Sequence, residues 1–97
     1  MATETFTSVF DAIAESDTQA INLKVRAELM GHIDSLIRAR GWTQEEAARR
    51  ADVSQPRIND LLRGRISKFS LDALVNIATR LKLRLRLEVD GSEALAA

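Results

Sequence analysis

The side chains able to do chemistry in this 97-residue chain crowd into its middle, between Gln44 and Lys68. Gln44, Ser54, Gln55, Arg57, Asn59, Asp60, Arg63, Arg65 and Lys68 supply amides, a hydroxyl, a carboxylate and cations. A Gln amide can pair bidentately with adenine and an Arg guanidinium with guanine, and a carboxylate can accept from cytosine. Cations and hydroxyls serve phosphate oxygens. Other chemistries find little support. The chain has no Cys, so disulfides, thiol catalysis and thiolate metal sites are excluded. His32 is the single histidine and builds no metal site alone. Nothing resembles a nucleophile elbow, a phosphate-binding glycine loop or a paired-carboxylate motif, so no enzyme activity and no cofactor are expected.

Formal net charge is zero, with 14 Lys and Arg against 14 Asp and Glu. The distribution is uneven. Residues 1–34 hold two cations and six carboxylates, a net of −4, and residues 38–68 hold eight cations and four carboxylates, a net of +4. Residues 69–97 balance at four against four. A cationic middle beside an acidic end is the asymmetry that accompanies a polyanion partner, although solvated helix faces alone would also produce it. No apolar run approaches the ~18 residues needed to span a bilayer. The first ten residues, MATETFTSVF, have no cation and no long apolar stretch, unlike a signal peptide. A cytoplasmic protein is expected.

Helices must position these groups. Phe6, Val9, Phe10 and Ile13 recur at helical spacing, predicting a short amphipathic helix over 7–15. Ser16-Asp17-Thr18 interrupts it and caps a second helix from about Thr18 to Arg40, with Ile21, Val25, Leu29, Ile33, Leu36 and Ile37 as its apolar stripe and Met30 at the edge. Gly41 offers a left-handed stop. Thr43-Gln44-Glu45-Glu46 is a capping box, with Trp42 and Ala47 placed for a hydrophobic staple. A short helix to about Ala51 follows, then a tight turn at Asp52-Val53. Ser54 caps a further helix from Gln55 to Arg63, whose first turn tolerates Pro56. Gly64 ends it, and Ser70 caps a last helix from Leu71 to Leu81.

Two short helices joined by a tight turn place the second across the first, ready to project into a groove. Ala48 supplies the small residue that such a crossing needs, Asp52 tolerates positive φ, and Val53, Ile58 and Leu61 clamp the pair. On Thr43-Gln44, Ala47-Ala48, Val53-Ser54-Gln55, Ile58, Leu61 and Gly64, the chain resembles the phage-repressor-like (Xre/Cro) helix-turn-helix family. The resemblance continues through Ser70-Leu71, Leu74, Ile77-Ala78 and Leu81, covering about residues 25–83. Asp52 departs from it, since the family usually has Gly there. Ser8-Val9-Phe10-Asp11-Ala12-Ile13, Asn22-Leu23-Lys24 and Phe69-Ser70-Leu71 look like a smaller group, the HigA-type antitoxin regulators.

The resemblance implies that Gln44 bonds a phosphate beside the free N–H groups of its helix. Gln55, Arg57 and Asp60 stand on the exposed face of the second helix near its start, where base edges are read, with Asn59 as their neighbour. Asp60 either accepts from a cytosine or orients Arg57. Ser54 is both cap and phosphate contact. Arg63, Arg65 and Lys68 lie in the loop that passes the phosphate backbone, while Arg49 and Arg50 either reach it or stay solvated. Trp42, Ile66 and Phe69 are assigned to the core, and His32 to the flank of the long helix.

Residues 83–89 change period. Leu83, Leu85, Leu87 and Val89 alternate with Arg84, Arg86 and Glu88, which predicts a half-buried strand rather than more helix. An unpaired apolar edge is an aggregation site, and no second strand of this pattern exists in the chain. Pairing with the same strand of a second copy resolves both problems.

The expected protein is mainly α, a five-helix phage-repressor-like helix-turn-helix domain with one C-terminal β-strand pairing across a homodimer. Residues 1–16 form an N-terminal segment, 17–82 the DNA-binding domain, 83–90 the dimerisation strand and 91–97 a flexible tail. Its expected role is that of a sequence-specific transcriptional repressor on double-stranded operator DNA with two half-sites, acting as the autoregulatory antitoxin of a HigB/RelE-like toxin. The alternative is an interaction module that mainly neutralises the toxin. Because no cation precedes Lys24, the N-terminal segment is no DNA arm. Deleting residues 2–8 is expected to leave DNA affinity equal or slightly higher by mobility shift. A large loss with helicity intact by circular dichroism contradicts that expectation.

Overall fold

The computed structural model describes residues 14–88, with side chains from residue 17. Helix α1 spans Ala14–Arg40, α2 Gln44–Ala51, α3 Gln55–Leu62 and α4 Leu71–Arg80, with a 3-10 turn at Ile66–Lys68. The expected helix over 7–15 lies almost wholly outside the described residues. The expected interruption at Ser16-Asp17-Thr18 is absent: α1 runs through it. Three consecutive capping residue types are weak helix formers, yet a cap forms only where the chain turns, and here it continues. The 27 residues of α1 make a rod about 40 Å long.

Local signals account for the other helix starts. The hydroxyls of Thr43, Ser54 and Ser70 accept from the backbone N–H groups of Glu46, Arg57 and Ala73 at 3.1, 3.3 and 3.1 Å. Half of the expected capping box forms, because the Glu46 carboxylate turns to Arg49 and Arg50. Each helix end is made the same way. Gly41, Asp52, Gly64 and Lys82 adopt φ of 66°, 58°, 73° and 70°. In each case this residue and the next donate back to the two carbonyls that the last turn leaves free, as with Gly41 to Arg38 and Trp42 to Ile37 at 3.1 and 3.2 Å. The residue that follows is apolar in three of the four. Trp42, Val53 and Leu83 all pack against the core.

That core lies between the C-terminal half of α1 and the three short helices. Met30, Ile33 and Ile37 meet Ala47, Ala48 and Ala51 of α2, Ile58 and Leu61 of α3, and Phe69, Leu74, Ile77, Ala78 and Leu81. Met30 is buried rather than at the edge, whereas Ile21 and Val25 of the expected stripe are 48% and 41% exposed. Three alanines on one face of α2 keep side chains short, so that α3 and α4 both pack on this eight-residue helix. No polar side chain is buried in the core among the described residues.

Among the described residues the predicted strand is not formed. Residues 83–88 carry no strand among the described residues, and Val89 lies outside them. Leu83 is half-buried against the core, while Leu85 and Leu87 are 46% and 87% exposed. A strand needs a ladder partner, and the described chain offers none. Lys82, in the left-handed region, turns the chain out of α4, and residues 83–88 are not helical.

Two glycines test the backbone argument. A Cβ added at Gly31 or at Gly64 meets nothing within 4 Å, but Gly31 is helical and Gly64 has φ of 73°. Gly31→Ala is expected to stabilise by about 1 kcal/mol through helix propensity. Gly64→Ala is expected to destabilise by about 1–2 kcal/mol through left-handed strain. Thermal denaturation followed by circular dichroism should therefore move in opposite directions. Equal shifts would break the argument.

Candidate nucleic-acid interface

Helices α2 and α3 are locked at a short turn. Asp52 and Val53 donate to the carbonyls of Arg49 and Ala48 at 3.3 and 3.0 Å, and Ser54 then caps α3. Ile58 and Leu61 anchor α3 in the core, which leaves Gln55 exposed and Arg57, Asn59 and Asp60 half-buried along its length. The two helices are also tied on their polar side. Gln44 Nε2 donates to Asn59 Oδ1 at 3.4 Å, joining the first residue of α2 to the middle of α3. Ser54 is exposed, and its hydroxyl is engaged as the cap.

Arg57 is held more firmly than a free surface side chain. Its guanidinium carbon sits 4.1 Å from the centre of the Phe69 ring, and Nη1 donates to the Lys68 carbonyl at 2.7 Å. Phe69 itself is 1% exposed, so this ring joins the core to the polar surface. Asp60 does not orient Arg57. Its Oδ1 accepts from Arg65 Nη1 at 3.0 Å, and its Oδ2 lies 3.7 Å from Lys68 Nζ. Arg63, the residue closing α3, is exposed and makes no ion pair among the described residues. Thus the middle of α3, the 3-10 turn and the loop between them form one connected polar cluster.

Arg49 and Arg50 are both paired with Glu46, and the Arg50 guanidinium lies 4.6 Å from the Trp42 ring centre. They belong to the outer face of α2. His32 is exposed on α1 beside Glu28. Trp42, Ile66 and Phe69 are core or core-packed, as their types implied.

One residue escaped the sequence reading. Arg26 of α1 reaches across the fold and donates Nη1 to the carbonyls of Ile66 and Phe69 at 3.2 and 3.0 Å. With Arg57 on the Lys68 carbonyl, two guanidiniums therefore satisfy three carbonyls of the 66–69 segment. These bonds span 40 and 43 residues, and no local pattern encodes them. The sequence trace of Arg26 is no more than being one of two cations in an acidic third. Among the described residues no helix is long and apolar enough to cross a membrane, and no cluster of His, Asp and Glu could hold a metal.

A family model described as a helix-turn-helix domain matches residues 12–90, a span that contains all four helices and the cluster on α3. No curated protein matches the chain. The match covers most of the sequence and agrees with the α2–turn–α3 geometry, so the chain belongs to the helix-turn-helix domain family.

Proposed function

We propose that this protein is a sequence-specific DNA-binding transcriptional repressor that acts as a homodimer, with α3 in the major groove. The observation that carries the reading is the pair of polar groups on α3, Gln44 bonded to Asn59 on one side and Asp60 holding Arg65 and Lys68 on the other. It unites a helix N-terminus, an exposed helix face and a cationic loop, the three elements that phosphate positioning and base reading require. Gln55 is the principal base reader, since its amide is exposed in the first turn of α3. Arg57 works from a preset position, with one of its five N–H donors given to Lys68. Gln44, Ser54, Arg63, Arg65 and Lys68 serve phosphates, and Asn59 holds Gln44 in place.

The homodimer is supported by apolar surface left uncovered. Val25 and Val75 are 41% and 36% exposed, and they line an open groove with Leu29, Leu71 and residues 83–87. Pairing of residues 83–89 with a second copy would bury Leu85 and Leu87 and complete the backbone ladder. The antitoxin role extends this reading. Exposed Ile21, Leu23 and Val25 on the N-terminal half of α1 offer a RelE/HigB-like toxin an apolar contact away from α3. Neutralising such a partner is the second function of the same chain.

A mobility-shift titration with DNA from upstream of the protein's own gene tests the repressor reading; equal affinity for random duplex would defeat sequence specificity. Gln55→Ala is expected to cost about 1–3 kcal/mol on the specific site and to relax preference at one base pair. Arg63→Ala should instead weaken all duplexes alike and lower the salt slope by about 1. For the dimer, Leu85→Arg is the informative change because position 85 is already 46% exposed in one chain, so the monomer fold tolerates it. Sedimentation equilibrium should show a monomer, with specific binding reduced by orders of magnitude. A variant that remains dimeric would place the interface elsewhere.

A further inference from the structure

Two of the three loop cations assigned to phosphate are already committed inside the free protein. Arg65 is attached to Asp60 twice, its backbone N–H donating to the Asp60 carbonyl and its Nη1 to Oδ1, both at 3.0 Å. Lys68 Nζ stands 3.7 Å from the other carboxylate oxygen. The Asp60 side chain is only 18% exposed, while Arg65 and Lys68 are 45% and 54% exposed. The carboxylate is thus screened by the cations it holds. Arg57 steadies the arrangement by fixing the Lys68 carbonyl at 2.7 Å. Arg63 remains outside it.

We propose that Asp60 is an internal competitor for phosphate, an affinity-limiting residue that keeps Arg65 and Lys68 from engaging non-cognate nucleic acid. The inference rests on the DNA-binding reading above. A carboxylate and a phosphate oxygen are equivalent acceptors for a guanidinium. Exchanging one for the other at Arg65 leaves the number of ion pairs unchanged. It also strands Asp60, stripped of its counter-ions, between α3 and a polyanion. On a random duplex, where no base contact compensates, the exchange does not occur and two cations stay withdrawn. The protein then meets random DNA with fewer effective cations than its loop carries. Because non-specific sites vastly outnumber specific ones, that restraint has a direct use.

The test is fluorescence anisotropy with a random-sequence 24-bp duplex and with a duplex from upstream of the protein's own gene, each at several salt concentrations. Wild type, Asp60→Asn, Arg65→Ala/Lys68→Ala and the triple variant are compared, with thermal denaturation confirming that each is folded. Asp60→Asn should bind random duplex roughly tenfold tighter at 50 mM salt. Its log–log salt slope should be steeper by about 1.8, two phosphates at 0.9 each, so that the advantage vanishes near 200 mM. In the Arg65→Ala/Lys68→Ala background, Asp60→Asn should bring no gain. A gain that persists there means plain charge removal and overturns the proposal, as does unchanged or weaker binding of random duplex by Asp60→Asn. If wild type binds neither duplex at 50 mM salt, the DNA-binding reading itself fails and the proposal falls with it. Binding by wild type without the Asp60→Asn gain leaves that reading standing and removes the competitor alone.

Discussion

Helices of eight to ten residues do not hold themselves together in water, because nucleation costs more than so few hydrogen bonds return. This protein builds three of them in succession, and each depends on how it is stopped. A left-handed residue and the one after it each return an N–H group to the last turn, and after α1, α2 and α4 that second residue's side chain drops into the core. The stop thus satisfies carbonyls and contributes burial in the same two residues. Between α2 and α3 the device is most compressed. Asp52 turns, Val53 packs and Ser54 caps the next helix. Had the turn been looser, the three buried alanines of α2 would not present a flat face to α3, and the exposed side of α3 would point elsewhere.

The polar cluster inherits its geometry from one aromatic ring. Phe69 closes the core below the 3-10 turn, and Arg57 lies over its face. Arg26 and Arg57 then bond carbonyls of Ile66, Lys68 and Phe69, so side chains from α1 and α3 add to the turn's own backbone bonds. Core packing and polar cluster are therefore coupled at this point, and Arg57 stands in both.

The uncovered apolar surface has a different origin. The core fills only the C-terminal half of α1, and the helix extends well past it. Leu85 and Leu87 emerge beside that exposed half after Lys82 turns the chain away from α4. A small domain cannot bury all the apolar residues its sequence supplies, and association is the ordinary remedy. The dimer and the protein contact proposed above would both draw on that same shortfall.

Much of the local structure was legible in the residues: the three caps, the stops at Gly41 and Gly64, the tolerance of Asp52 for positive φ, and the crossing made possible by Ala48. These depend on groups within about five residues of one another, so spacing alone expresses them. The apolar spacing of α4 puts Leu71, Leu74, Ile77, Ala78 and Leu81 on one face; the last four are core and Leu71 is half-buried. Signals that compete were less decisive. Ser16-Asp17-Thr18 offered a cap that the chain did not use, and the alternation after Leu83 described a strand whose partner the described chain does not contain. The tertiary structure alone decided the partners of the long charged side chains. Arg26 reaches a turn forty residues away, and Asp60 selects Arg65 and Lys68 over Arg57. Such side chains carry many rotamers and bind whatever acceptor the fold brings within reach, so their pairing is a consequence of the packing and is not written in the spacing.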